Sequence, residues 1–265
     1  MVQTGNDNDM ETTKNIQGYL ECDGTITKIS SWEDIEQLMI KYEKSKTEIS
    51  EAELDELTTK EDEVQQDDCG IGYLSNPTIL KYGPRKHGGY SPLESYKVKD
   101  NTIAISDCAF DPGKGDYACL QAISMPDSLL VIGNRSFCYN QFLSLVSLSN
   151  LLIKIGDYAF YHCLHLSIIT FPKSLKIIGS GSFGGCSFSS LSIPASVTTI
   201  RSHAFSECHD LKKIEFKGIP TIIGSGIFDK CEKIEQIIVP QGYKNYFTKA
   251  LFPINEIKII EKEVS

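Results

Sequence analysis

A phenylalanine recurs about every 23 residues along a long stretch of this 265-residue chain, at Phe110, Phe137, Phe160, Phe183, Phe205 and Phe228, with spacings of 27, 23, 23, 22 and 23. A period of this length marks a chain built from stacked copies of one short unit, none of which can bury its apolar edge alone. The two irregular spacings have visible causes. Asp111-Pro112-Gly113-Lys114-Gly115 is a turn-rich insertion in the first unit, and the fourth unit lacks one residue.

Other apolar residues keep register with the anchors. After Phe160 come Cys163, Leu166, Ile169, Phe171, Pro172, Leu175 and Ile178-Gly179. The first unit carries Leu120, Ile123, Met125 and Leu129 in these places, and the fourth carries Phe188, Leu191, Ile193 and Pro194. The fifth carries Leu211, Ile214 and Phe216, and the sixth Ile234, Ile237 and Val239. Leu166 to Phe171 is rich in β-formers and alternates at its end, which predicts a strand with Ile169 and Phe171 inward and Ile168 and Thr170 outward. Pro172 ends it, because proline cannot donate to a ladder. Ile178-Gly179 turns the chain, and Asp157 to Phe160 is long enough for about one helical turn. Stacked strands form a parallel sheet about 4.8 Å apart.

Cys163, Cys186, Cys208 and Cys231 each lie three residues after an anchor, where the second unit has Asn140. An Asn/Cys alternation at one place in each coil is the ladder pattern of leucine-rich repeats, in which a short side chain satisfies backbone groups turned inward. Bridges between neighbouring thiols and metal ligation are the competing readings; a bridge would require both side chains to abandon the ladder. Cys22, Cys69, Cys108, Cys119 and Cys138 lie off this column.

At these residues the chain resembles the BspA-type leucine-rich repeats of bacterial and protist surface proteins. "IGDYAFYHCLHLSIITFPKSLKIIGSGSF" and "VTTIRSHAFSECHDLKKIEF" carry the Ile-Gly-x-x-Ala-Phe-x-x-Cys-x-x-Leu core and the proline after the strand. The expected fold is therefore a leucine-rich repeat solenoid. A parallel β-sheet lines its concave face, and short helical turns and irregular coil form its convex side. The resemblance covers residues 98–240. It extends more weakly back to an irregular opening coil at 76–102 and forward to a C-terminal cap at 241–265, so the solenoid is expected over 69–265. It implies adhesion, with a host or matrix protein as partner, and a cell-surface location. It carries no catalytic motif.

Residues 1–68 do not fit the repeat. Trp32, Ile35, Leu38, Met39 and Tyr42 form an amphipathic stripe behind a capping Ser31, and a second short helix is expected from Ser50 to Leu57. Residues 48–68 hold ten acids and one lysine, Lys60, which reads as solvated or disordered. The region is a flexible acidic leader or a helix that packs on the open first coil or on a partner. Residues 1–97 hold 10 Lys/Arg against 20 Asp/Glu, and residues 98–265 hold 16 against 15. The near-neutral repeats offer no basic stripe to a phosphate backbone, so no nucleic acid is expected. No apolar run reaches the ~18 residues of a membrane span, and the polar start has neither a basic n-region nor an apolar h-region. From the residues alone a cytoplasmic location is expected, without membrane insertion.

The five histidines, His87, His162, His165, His203 and His209, include two that neighbour a ladder cysteine, which is not the spatial pairing of a Cys–His nucleophile. GxSxG, P-loop and HExxH patterns are absent from the sequence, so no enzyme, cofactor or metal is expected. The outward face of the sheet is the natural binding surface of a solenoid. By register its strip is Ala122/Ser124, Leu145/Ser147, Ile168/Thr170, Ser190/Ser192, Lys213/Glu215 and Gln236/Ile238. It is small, hydroxylated and partly apolar, and it holds no aromatic residue, which weakens a sugar-stacking role for it. The expected function is a non-catalytic binding scaffold acting on protein through this strip. The alternative is an intracellular assembly scaffold with the acidic N-terminal region as its second contact.

Overall fold

The computed structural model describes residues 18–22, 25–29, 49–59, 64–66, 71–75, 78–82, 94–111, 120–251 and 258–263. The stripe from Trp32 to Tyr42 lies outside them. The chain forms two compact units, Met1–Glu53 and Leu54–Ser265. In the first, β1 (Gly18–Cys22) and β2 (Thr25–Ile29) pair antiparallel, Gly18 opposite Ile29. Helix α1 (Glu51–Thr59) opens on a capping box, since Glu53 N–H donates to Ser50 Oγ at 3.3 Å and Ser50 N–H to Glu53 Oε2 at 2.6 Å.

The second unit is the expected solenoid, and it carries two ladders of strands. An antiparallel meander of β3 (Val64–Gln66), β4 (Gly72–Ser75) and β5 (Thr78–Tyr82) starts it. The strip ladder begins with β6 (Ser95–Lys97). The chain then alternates between ladders through β7 (Ala104–Ile105), β8 (Ala122–Ser124), β9 (Val131–Ile132), β10 (Leu145–Ser147) and β11 (Lys154–Ile155), and β12 (Ile177–Ile178) follows β11 in the same ladder. They continue through β13 (Ser190–Ile193), β14 (Thr199–Ile200), β15 (Lys213–Phe216), β16 (Ile222–Ile223) and β17 (Gln236–Pro240). Helix α2 (Lys244–Ala250) and β18 (Lys258–Lys262) follow.

The second ladder, β5-β7-β9-β11-β12-β14-β16, is parallel throughout. It occupies the Ile-Gly positions, where the sequence reading placed only a turn. The turn follows the two-residue strand. Gly156 and Gly179 stand where adjacent coils come closest: a Cβ at Gly156 would lie 2.6 Å from the Gly133 carbonyl carbon, and one at Gly179 2.4 Å from that of Gly156.

The strip ladder is interrupted. It splits into β6-β8-β10 and β13-β15-β17-β18. Leu166 to Phe171, the expected strand of the third coil, is extended chain without ladder pairing. The segment is tied at its start, where His165 N–H donates to Gln141 O and Ser187 N–H to Leu166 O. On the β13 side the fourth unit lacks one residue between Cys186 and Phe188, directly ahead of that strand, although β13 still pairs in register with β15. On the β10 side no sequence difference explains the gap.

The anchors form one column. Stacked ring centroids are separated by 5.0, 5.1, 5.3, 5.6 and 5.9 Å from Phe110 to Phe228. Phe137, Phe160, Phe183 and Phe205 are fully buried. Ile71, Tyr73 and Leu80 join this core from the first meander, and Phe247 of α2 packs 4.7 Å from Phe216. Covering both ends protects an exposed core and sheet edge.

The segment around each anchor is not the helical turn expected. Residues two before and two after the anchor are left-handed: Arg135 and Tyr139, Tyr158 and His162, Gly181 and Gly185, His203 and Glu207. This alternation breaks a helix and aims every second N–H at the next coil. Arg135, Phe137 and Tyr139 donate to the carbonyls of Asp157, Ala159 and Tyr161, and the next coil repeats the pattern onto Ser180, Ser182 and Gly184.

Leu54 and Thr58 of α1 are buried, Asp107 N–H donates to Thr58 O at 3.2 Å, and Asp55 Oδ1 lies 2.5 Å from Lys154 Nζ. The compact unit that holds the repeats thus extends back to Leu54, into the acidic segment. The outward column of the second ladder is buried at Ala104, Val131 and Lys154 and opens at Ile222, which is mostly exposed.

Candidate functional site

Alternation within each paired strand puts Leu145 and Ser147, Ser190 and Ser192, and Lys213 outward and exposed, with Glu215, Gln236 and Ile238 half-exposed. Ala122 and Ser124 are also half-exposed. Ile168 and Thr170 are exposed although their segment is unpaired. Leu145 is 66% and Ile168 77% exposed, on adjacent coils. Phe142 and Leu164 are exposed beside them in sequence, and the Phe142 ring stacks on His165 at 5.8 Å. The apolar surface of the strip is thus concentrated on the second and third coils, where its ladder breaks.

The Asn/Cys column lies inside. Asn140 Nδ2 donates to Phe110 O at 2.8 Å, and the thiols of Cys163, Cys186, Cys208 and Cys231 donate to Phe137, Phe160, Phe183 and Phe205 O at 3.2, 3.3, 3.3 and 3.1 Å. Each coil therefore bonds the anchor carbonyl of the coil before it. These thiols are free, as are Cys108 and Cys138. Burial pushes the Cys163 and Cys186 thiols well up, and that of Cys138 to about 11.

A second polar column went unread in the sequence. It lies three residues before each anchor. Asp107 Oδ1 accepts Asn134 N–H, Asn134 Oδ1 accepts Asp157 N–H, and Asp157 Oδ1 accepts Ser180 N–H, each at 2.7 Å. The pattern Asp/Asn/Asp/Ser at −3 from the anchor was the available signal.

The third feature is aromatic and lies on the turn edge beside the anchors. Tyr161 meets Tyr139 edge-on at 5.7 Å and Tyr158 edge-on at 5.5 Å, and it tilts against His162 at 4.3 Å. His162 Nε2 reaches Glu207 Oε2 at 3.6 Å across the fourth coil, and Glu207 Oε1 accepts from Lys230 Nζ at 2.5 Å. The hydrogen-bonded Lys230 ammonium holds the Glu207 carboxyl below its usual range. Two other histidines are separately engaged: His203 Nδ1 lies 3.2 Å from Asp229 Oδ2, and His165 Nδ1 2.6 Å from Gln141 O. Among the described residues there is no group of three or more His, Cys, Asp or Glu placed to hold a metal ion, and no helix long and apolar enough to cross a membrane.

A family model described as BspA type leucine-rich repeat region matches residues 88–202 and 176–263, in six copies. Among solved structures, a leucine-rich repeat protein from Bacteroides ovatus is 22% identical, with 77% of this chain and 53% of that one covered and a TM-score of 0.54. The pneumococcal vaccine antigen PcpA is 18% identical, with 81% and 49% covered and a TM-score of 0.51. At these identities the likeness is one of fold, and the chain spans about half the length of both structures. No curated protein matches the sequence.

Proposed function

The chain belongs to the BspA-type leucine-rich repeat family, and from that premise we propose that it is a non-catalytic scaffold that binds protein through the outward strip of its first ladder. The observation that carries the reading is the pair Leu145 and Ile168. Two adjacent aliphatic side chains, 66% and 77% exposed, gain nothing for the fold from their position, and an exposed apolar group framed by Ser147, Thr170, Ser190 and Ser192 suits a protein contact. Lys213 and Glu215 add the only charges on the four-residue rim that follows, where they bias approach more than affinity. The proposed partner is a host or matrix protein, in an adhesive role; the family and the exposed apolar pair support that reading.

The test is a pull-down from matrix-protein extracts with the full chain and with a Leu145→Lys/Ile168→Lys double variant. Captured proteins that disappear with the variant support the strip, and an unchanged set removes it as the site. Surface labelling of intact cells tests the adhesive role, which requires labelled protein.

The second reading, an intracellular assembly scaffold, draws on one observation: six described cysteines are free thiols, four of them hydrogen-bonded to carbonyls in the core. Protein that resists surface labelling and keeps its full thiol count on isolation favours it over adhesion.

A further inference from the structure

The aromatic turn edge has no part in the strip, and its construction is unusual within the repeat. Three rings of the third coil lie over three glycines of the fourth. A Cβ at Gly181 would stand 2.6 Å from Tyr158 Cε1, one at Gly184 2.8 Å from Tyr161 Cδ2, and one at Gly185 3.2 Å from His162 Cδ2. At these three positions the fourth coil has no side chain, and the rings rest on its backbone. Tyr139 of the second coil closes the row against Tyr161.

Tyr139, Tyr158 and His162 hold left-handed backbone, with φ of 61°, 56° and 56°. For residues with a Cβ that conformation costs on the order of 1 kcal/mol each. Glycine takes the same places without strain at Gly181, Gly185 and Gly226. The rings are also outside the anchor column, and Tyr139 and Tyr158 remain 41% and 42% exposed. The conformation belongs to the turn, since Arg135, His203, Glu207 and Lys230 hold it too; what is particular here is that exposed aromatic rings occupy it. Exposed rings held in place over the glycine backbone of the next coil mark a surface that meets something.

We propose that this terrace is a saccharide-binding platform for a neutral oligosaccharide. The exposed tyrosine rings flank Tyr161 and supply apolar faces for sugar C–H groups, while their hydroxyls remain available as partners. Glu207 and Lys230 stand at the rim as acceptor and donor for sugar hydroxyls. The two exposed tyrosines belong to different coils and both pack edge-on with Tyr161, so the rings form a row that an oligosaccharide can follow from one coil to the next. The choice of sugar over protein rests on composition. Tyr139, Tyr158, Tyr161 and His162 offer ring faces beside the hydrogen-bonding Glu207–Lys230 pair and hold no exposed aliphatic side chain among them.

Affinity electrophoresis of the full chain in native gels containing galactomannan, xyloglucan or laminarin tests this, with serum albumin as the mobility reference. At least one of the three polymers is expected to retard the chain. Tyr139→Gly/Tyr158→Gly, which relieves left-handed strain, is expected to weaken that binding at least about tenfold while keeping the melting midpoint of the parent. Glu207→Gln/Lys230→Ala alters only the rim and is expected to weaken it about threefold, so the test survives if the glycine variant fails to fold. The strip variant Leu145→Lys/Ile168→Lys is expected to be retarded like the parent, which separates this site from the strip. No retardation by any of the three polymers, or retardation unchanged in both terrace variants, overturns the proposal. Retention on immobilised gelatin that the tyrosine variant loses, without any polymer retardation, also overturns it and makes the terrace a protein contact.

Discussion

The turn edge and the strip edge of the same coils are held together by different means. On the turn edge every second backbone N–H passes to the next coil, the Asn/Cys and Asp/Asn/Ser columns add side-chain bonds, and no coil is skipped from Cys108 to Glu207. On the strip edge the third coil drops out of the ladder, yet the stack does not part there. Phe160 still lies 5.1 Å from Phe137 and 5.3 Å from Phe183, and the Phe171 ring crosses to Phe183 at 5.4 Å. The side-chain column and the turn edge carry continuity, so the strip can lose backbone pairing and keep variable, exposed side chains. That division leaves surface free for binding without loosening the core.

The sharpest way to break this account is to remove an anchor. Phe160→Ala is expected to destabilise by ~3–5 kcal/mol in a denaturant titration, because a fully buried ring flanked by two others leaves a cavity that its neighbours cannot fill. A cost below ~1 kcal/mol would show that the column does not hold the coils in line. Gly156→Ala comes next, at ~1–3 kcal/mol, since its Cβ meets backbone of the preceding coil and not a movable side chain. Thermal melting of that variant checks whether the coils approach as closely as the column requires.

Cys186→Ala is expected to cost ~1 kcal/mol, the loss of one thiol bond to Phe160 O and a small packed group. The same column sets an alkaline limit. Burial raises the Cys163 and Cys186 thiols above their ordinary value of 9.0, so the folded chain holds these protons more tightly than the unfolded one. Their contribution is fully present below that value and is lost as pH rises from it toward the raised values. Urea titrations at about pH 8 and about pH 10 should show a drop that Cys186→Ala makes smaller; an equal drop would place the titration elsewhere. The smallest effect belongs to the strip. Leu145→Lys and Ile168→Lys are each expected to change stability by no more than about 0.5 kcal/mol, because neither side chain is buried. A larger loss by denaturant titration would mean that the strip edge supports the fold after all.

The period of the phenylalanines was enough to read the solenoid, the shared core and the parity of the strands, since each repeat presents the same local pattern and must stack to bury it. The Asn/Cys positions were visible as a column, but the carbonyl that each side chain meets belongs to the preceding coil and depends on how the turn edge is folded. The second ladder was hidden because Ile177–Ile178 and its equivalents are two residues long, too short for any alternation to show. The left-handed alternation was hidden because Arg135, Tyr158 and Glu207 are not residues that signal it.

Repetition along the chain therefore determined what stacks on what, because the anchor pattern is local and the same in every copy. Tertiary structure alone decided what lies across from what. Lys154 is buried because Asp55, far away in sequence, lies over it. Tyr158, Tyr161 and His162 form a terrace because the next coil happens to carry glycine at three matching places. Such meetings depend on the difference between neighbouring copies, and that difference acquires physical meaning only when the coils are brought about 5 Å apart.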